Sequence, residues 1–157
     1  IMRQIKFRAW HGELKEYCEG TTSNMFSWID DGQPITLEQY FDLQDKDGVD
    51  YCVGDLVNVF FTSDNGKHIH DCIYQVFKGA LGGLELRAIK LLWESYGWNQ
   101  HTLNTTLSER RSSLSVDYLN RGKLILGGVL RHGQKEIDES RYFKIIGNIR
   151  QNPELIK

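Results

Sequence analysis

Apolar and polar residues alternate along Gln4–Trp10, with Ile5, Phe7 and Ala9 on one side and Lys6, Arg8 and Trp10 on the other. A period of two predicts a half-buried strand. Trp10 on the otherwise polar side predicts that this face is partly covered too. His11-Gly12-Glu13 turns the chain, and Leu14–Cys18 returns as a partner strand. Met25–Ile29 is a third strand candidate, closed by the turn signal Asp30-Asp31-Gly32. Two readings compete at Thr36–Gln39. Thr followed by Gln three residues on fits a helix capping box, whereas Tyr40 and Leu43 continue a strand. The Asp-Gly turn that follows suits a hairpin and favours the strand.

The stretch Gln39–Val59 organises the rest. It carries the acidic turn Asp45-Lys46-Asp47-Gly48, then the Gly54-Asp55 corner, then a β-branched and aromatic run, Leu56–Thr62. That run is short, so a strand is predicted over a helix. Asn65-Gly66 is the pair favoured in tight hairpin turns, because both positions tolerate positive φ. Ile69–Lys78 and Leu84–Ile89 complete a three-strand meander broken by Gly79, Gly82 and Gly83. Small meanders with tight turns tend to close into barrels, which removes open edges.

Beyond Leu91 the pattern weakens. Thr106-Leu107-Ser108-Glu109 fits a helix cap, and Leu107, Arg111, Leu114 and Tyr118 fit one helical face running to about Asn120. Lys123–Leu130 reads as an apolar strand interrupted at Gly127-Gly128, and Arg131–Asp138 as a polar turn. Ser140–Ile149 has apolar groups on both faces, which predicts a central strand. Asn152-Pro153-Glu154 is a short helix start. The segments flanking Gly54-Asp55 and the Ile146–Ile149 ending are expected to lie in one shared β-structure.

Composition narrows the class of partners. Nineteen basic and 21 acidic residues leave a net charge of −2, which argues against a general electrostatic grip on nucleic acid or anionic membrane. The three cysteines, Cys18, Cys52 and Cys72, are an odd number without a CxxC pair, so neither a disulfide framework nor a four-cysteine zinc site is expected. No signal-peptide pattern opens the sequence, and no apolar run approaches the ~20 residues that span a bilayer. The expected setting is the cytoplasm.

Candidate chemistry is sparse. His68, His70 and Cys72, at i, i+2 and i+4, project from one face of a strand and are zinc-ligand types. A fourth ligand at a typical spacing is missing, so no metal site is assigned. Asp45, Asp47, Asp50 and Asp55 include an Asp-x-Asp-Gly fragment but not the remaining calcium-loop positions. Turn chemistry accounts for Asp47-Gly48, and Asp55 is placed to accept backbone amides beside its strand. Arg87, Arg110, Arg111, Arg121 and Lys123, near Trp93, Tyr96 and Trp98, form a candidate nucleic-acid stripe, diluted by Glu109 and Asp117. No nucleophile elbow or phosphate loop appears, and no cofactor is expected.

Three blocks carry a resemblance to a known family: Ile5–Trp10; Gln39–Val59 with Gln44-Asp45-Lys46-Asp47-Gly48 and Gly54-Asp55-Leu56-Val57; and Phe143–Leu155 with Ile146-Gly147-Asn148-Ile149 and Asn152-Pro153-Glu154-Leu155. In order and composition they resemble the YopX family of bacteriophages and prophages. The chain departs from that pattern at Phe41-Asp42, where members usually carry Thr-Gly, at Val53, where they carry an acid, and in a long excursion near Tyr96–Lys135. The resemblance implies an SH3-like small β-barrel in the C-terminal part and supplies no catalytic residues. The expected fold is therefore mainly β with minor α: an N-terminal antiparallel β subdomain at residues 2–47, packed with an SH3-like barrel at 48–157 that carries an insertion at about 96–135. The expected function is that of a non-enzymatic protein that binds a protein partner or itself, with no membrane role. Nucleic-acid-binding accessory factor and enzyme with an unrecognised site are the two alternatives.

Overall fold

The computed structural model describes residues 5–63, 68–79, 82–92, 113–117, 123–126, 136–137 and 143–157. The chain is mainly β, as its alternating patterns predict. Strands β1 (Phe7–His11), β2 (Glu16–Cys18), β3 (Ile35–Gln44) and β4 (Asp50–Cys52) form a four-stranded antiparallel sheet in the order β2-β1-β3-β4. This sheet extends to Cys52, past the boundary drawn at residue 47. Strands β5 (Asp55–Ser63), β6 (His68–Lys78), β7 (Leu84–Leu91), β8 (Ser113–Asp117), β9 (Lys123–Leu126), β10 (Glu136–Ile137) and β11 (Phe143–Asn148) form a second antiparallel sheet. Its order is β10-β9-β8-β7-β6-β5-β11.

The predicted meander is β5-β6-β7. Ser63 pairs with His68, and Asn65-Gly66 lies outside the described residues. The Gly54-Asp55 corner and the Ile146–Ile149 ending do share one sheet. Asp55 stands opposite Asn148, Val57 opposite Ile145 and Val59 opposite Phe143, and the Ile149 amide donates to the Gly54 carbonyl at 2.9 Å.

One core lies between the sheets, in the manner of a small barrel. Phe41 and Tyr51 come from the first sheet; Val57, Val59, Tyr74, Val76, Leu86 and Phe143 come from the second. All are buried, and each such side chain withdrawn from water stabilises the fold by roughly 1.5–3 kcal/mol before ordering costs.

Four expectations are corrected. Met25–Ile29 is not a strand but the middle of helix α1, Thr22–Asp30. The five-residue window was too short to separate a period of two from 3.6. The deciding signals lie outside it. The Thr21 hydroxyl caps the helix by accepting from the Asn24 amide at 3.2 Å. At the other end Gln33 N donates to Trp28 O and Gly32 N to Ile29 O, both at 3.0 Å, with Gly32 at φ +81°. This is a Schellman ending, and the left-handed position favours glycine. The helix assigned to Thr106–Asn120 is instead strand β8 where it is described, with Leu114 paired to both Leu86 and Leu126. Its serines and Val116 suit a pleated surface better than a helix. Within Arg131–Asp138, Glu136–Ile137 forms β10 against β9. Strands β8 and β9 thus continue the second sheet from within the Tyr96–Lys135 excursion.

The fourth correction concerns β11. It ends the sheet order rather than sitting in the middle. The Asp45 turn covers its outer edge. Lys46 N donates to Phe143 O at 2.9 Å, and Asp45 Oδ2 accepts from Ile145 N at 2.9 Å. Asp45 Oδ1 meanwhile accepts from the amides of Asp47 and Val49, each at 2.9 Å. One buried carboxylate therefore closes its own turn and seals the edge of the other sheet. Removing it leaves three amides without their acceptor. Asp45→Ala is predicted to destabilise the protein by about 3 kcal/mol in urea denaturation, whereas Asp47→Ala, at a half-exposed position, changes stability by less than about 0.5 kcal/mol. Equal effects would contradict this assignment.

Candidate functional site

The strongest concentration of polar chemistry among the described residues is a seam between the sheets. The β1–β3 register sets Arg8 opposite Glu38, and the β1–β2 register sets Trp10 opposite Tyr17. Period two puts all four on one face of the first sheet. Glu38 is buried, 3% exposed, between two arginines. Its Oε2 accepts from Arg8 Nε at 2.6 Å and from the Tyr17 hydroxyl at 2.8 Å, and its Oε1 accepts from Arg150 Nε at 2.6 Å.

Arg8 spends its whole fork here. Nη1 reaches Asp55 Oδ1 at 2.9 Å and Nη2 donates to the Val53 carbonyl at 2.9 Å. Asp55 Oδ2 accepts from the Cys52 amide at 2.8 Å, as its place beside the strand predicted. The guanidinium of Arg8 also lies 4.8 Å from the Tyr17 ring centre, and that of Arg150 lies 5.5 Å from Trp10. Gly54, at φ +90°, passes close by; a Cβ there would stand 3.4 Å from Glu38 Oε1. Only glycine combines that conformation with that closeness at no cost.

Two carboxylates and two guanidiniums cancel in formal charge. Burial nevertheless acts on each group. It pushes the Asp55 carboxyl up from 3.8 to about 6, against the opposing pull of Arg8 and the Cys52 amide. Burial alone would lower Arg8, but the Asp55 and Glu38 carboxylates outweigh it and hold the guanidinium more firmly charged. Burial and the hydrogen bond to Glu38 raise the Tyr17 hydroxyl. Burial pushes the Cys52 thiol up to about 12, so this cysteine is a neutral packing group whose Sγ donates to Glu38 O at 3.5 Å. Both oxygens of each carboxylate already accept bonds. What this arrangement can do is lock one sheet, and the turn after β11, against the other.

The residues proposed from sequence fall elsewhere. His68 and His70 lie on β6 with their side chains outside the described residues, and Cys72, two positions on, is fully buried in the core. Burial raises its thiol to about 12, which disfavours the thiolate that zinc takes. Among the described residues no group of three or more His, Cys, Asp or Glu is arranged to hold a metal. Arg87 is engaged by Glu85 at 2.6 Å and lies 4.2 Å above the Phe77 ring. It stands opposite Ser113 at one end of β8, while Lys123 stands opposite Asp117 at the other. Arg110, Arg111 and Arg121 lie outside the described residues. Arg8, Tyr17, Glu38 and Arg150 were not singled out beforehand. The signal available for them was Trp10 on the polar side of its strand, the mark of a second covered face.

No family model matches the chain, and no curated protein matches it. Among solved structures it is similar to the crystal structure of protein EF1440 from Enterococcus faecalis. The identity is 18% over 98% of this chain and 99% of that one, with a TM-score of 0.46.

The seam gives a signed pH prediction. Asp55 titrates higher in the folded protein than in the unfolded chain, so folding favours its protonated form. Its contribution to stability is complete below about pH 4, is lost as pH rises to about 6, and is flat above. Measured by urea denaturation, the stability of the protein relative to its Asp55→Asn variant should fall by about 2 kcal/mol between pH 4 and pH 7. A difference that grows with pH would contradict the stated burial of Asp55.

Proposed function

We propose that this chain is a phage- or prophage-encoded protein of the YopX type that works in the bacterial cytoplasm by binding a protein partner or a second copy of itself, without catalysis. The observation that supports this reading most is a contrast between interior and surface. Inside, Glu38, Asp55, Arg8 and Arg150 are bound to one another and to the backbone. Outside, large apolar side chains stand in water: Phe26 is 50% exposed and Phe60 49%. Phe26 also touches Phe7, so its exposed ring belongs to a small apolar patch, and exposed apolar patches mark interaction surfaces.

The three blocks that resemble YopX also meet in space. Arg8 comes from the first, Asp45 and Asp55 from the second, and Ile145 and Arg150 from the third. No helix among the described residues is long and apolar enough to cross a membrane.

Affinity capture of the full chain after cross-linking in an infected or lysogenic host, paired with analytical ultracentrifugation of the purified protein, tests the reading. The expected result is a stoichiometric protein partner or concentration-dependent self-association. A strict monomer that captures no protein would overturn it.

A further inference from the structure

Helix α1 carries an apolar stripe that the rest of the described chain leaves half uncovered. Met25 points inward and is buried. Phe26, one residue on, meets Phe7 edge to face with ring centres 6.3 Å apart, yet remains 50% exposed. Ile29 follows one turn later at 38%, and Ile5, on the same side of its extended segment as Phe7, is 56% exposed. Phe7 and Phe26 touch, and Ile29 and Ile5 flank them along the helix and the start of β1.

The charge at one end of this surface is anomalous. The sequence of α1 contains no lysine or arginine, and its last turn holds no basic residue. Instead Asp30 ends the helix and Asp31 caps it, both exposed. Aspartates there add to the negative end of the helix dipole, where cations are the favoured neighbours. The local rule is broken in a direction that an incoming positive charge would relieve.

The geometry points to a docking surface for a basic amphipathic segment of a partner protein. Its apolar side chains would cover Ile5, Phe7, Phe26 and Ile29, and a lysine or arginine about one turn further along would sit against Asp30 and Asp31. This deepens the interaction reading above and rests on it. The negative charge opposes an anionic lipid surface and selects a cationic segment over an acidic one.

The test uses the full chain and two helical peptides of about 15 residues, one patterned with Leu and Lys and its counterpart with Leu and Glu. Fluorescence anisotropy should show the Leu/Lys peptide binding at least about tenfold more tightly than the Leu/Glu peptide. Phe26→Ser and the double variant Asp30→Lys/Asp31→Lys should each weaken it by about tenfold or more. NMR shift changes should fall on Phe7, Phe26 and Ile29. The double variant alters only exposed positions and so keeps the test sound should Phe26→Ser unfold.

Unchanged binding in the double variant, or shifts mapping elsewhere, overturns the proposal. So does self-association that Phe26→Ser abolishes, since the occupant is then a second copy. A host protein captured equally by wild type and both variants overturns this surface while leaving the interaction reading intact.

Discussion

A carboxylate held in a protein interior is tolerable only when its charge is met. Glu38 is such a group, and meeting its charge requires residues from both ends of the chain. Arg8 arrives on β1, Tyr17 on β2, and Arg150 from the turn after β11. The first sheet cannot leave the second without parting Glu38 from Arg150 and Arg8 from Asp55, which leaves a buried carboxylate on each side short of a cation. That dependence makes two sheets with separate strand orders behave as one fold. The apolar core supplies most of the driving force; the ion pairs supply the register between the sheets.

Asp45 plays the complementary part on the backbone. By accepting three amides from two different segments it turns the edge of β11 from an open template into a finished end. The acidic turn therefore has a structural use that its composition hides. Aspartates in a calcium loop and aspartates in an amide-capping turn look alike in one dimension. They differ in what faces the oxygens, and here those partners are N–H groups. The same economy applies to Cys52 and Cys72, whose burial makes them packing groups rather than nucleophiles or ligands.

Much of the β architecture was legible because period two is visible over a few residues, and because Asp47-Gly48 marks a turn by its φ requirement. That the Gly54-Asp55 corner and the Ile146–Ile149 ending share one β-structure was legible too; that β5 and β11 pair directly came only with the structure. Helix α1 was misread because its cap at Thr21 and its ending at Gly32 lie outside the apolar window. Strand β11 was misread as central because apolar residues on both faces report what packs above and below a strand, not how many strands flank it; its outer edge is closed by the Asp45 turn instead. The seam itself was almost invisible. Arg8 and Glu38 are thirty positions apart and Arg150 lies far beyond, and no local spacing connects residues whose meeting depends on the register of strands. Only Trp10, apolar on a polar face, betrayed that the surface around Arg8 is covered.

The central claim is that the ion-pair seam joins the sheets into one cooperative unit. Native-state hydrogen exchange tests it most directly, because it reads the opening free energy of each strand separately. If the seam couples the sheets, the amides of Ala9 and Trp10 in β1 and those of Val57 and Tyr74 in the second sheet should open with free energies within about 1 kcal/mol of one another. A first sheet that exchanges through its own, much cheaper opening while the second stays protected would contradict the account.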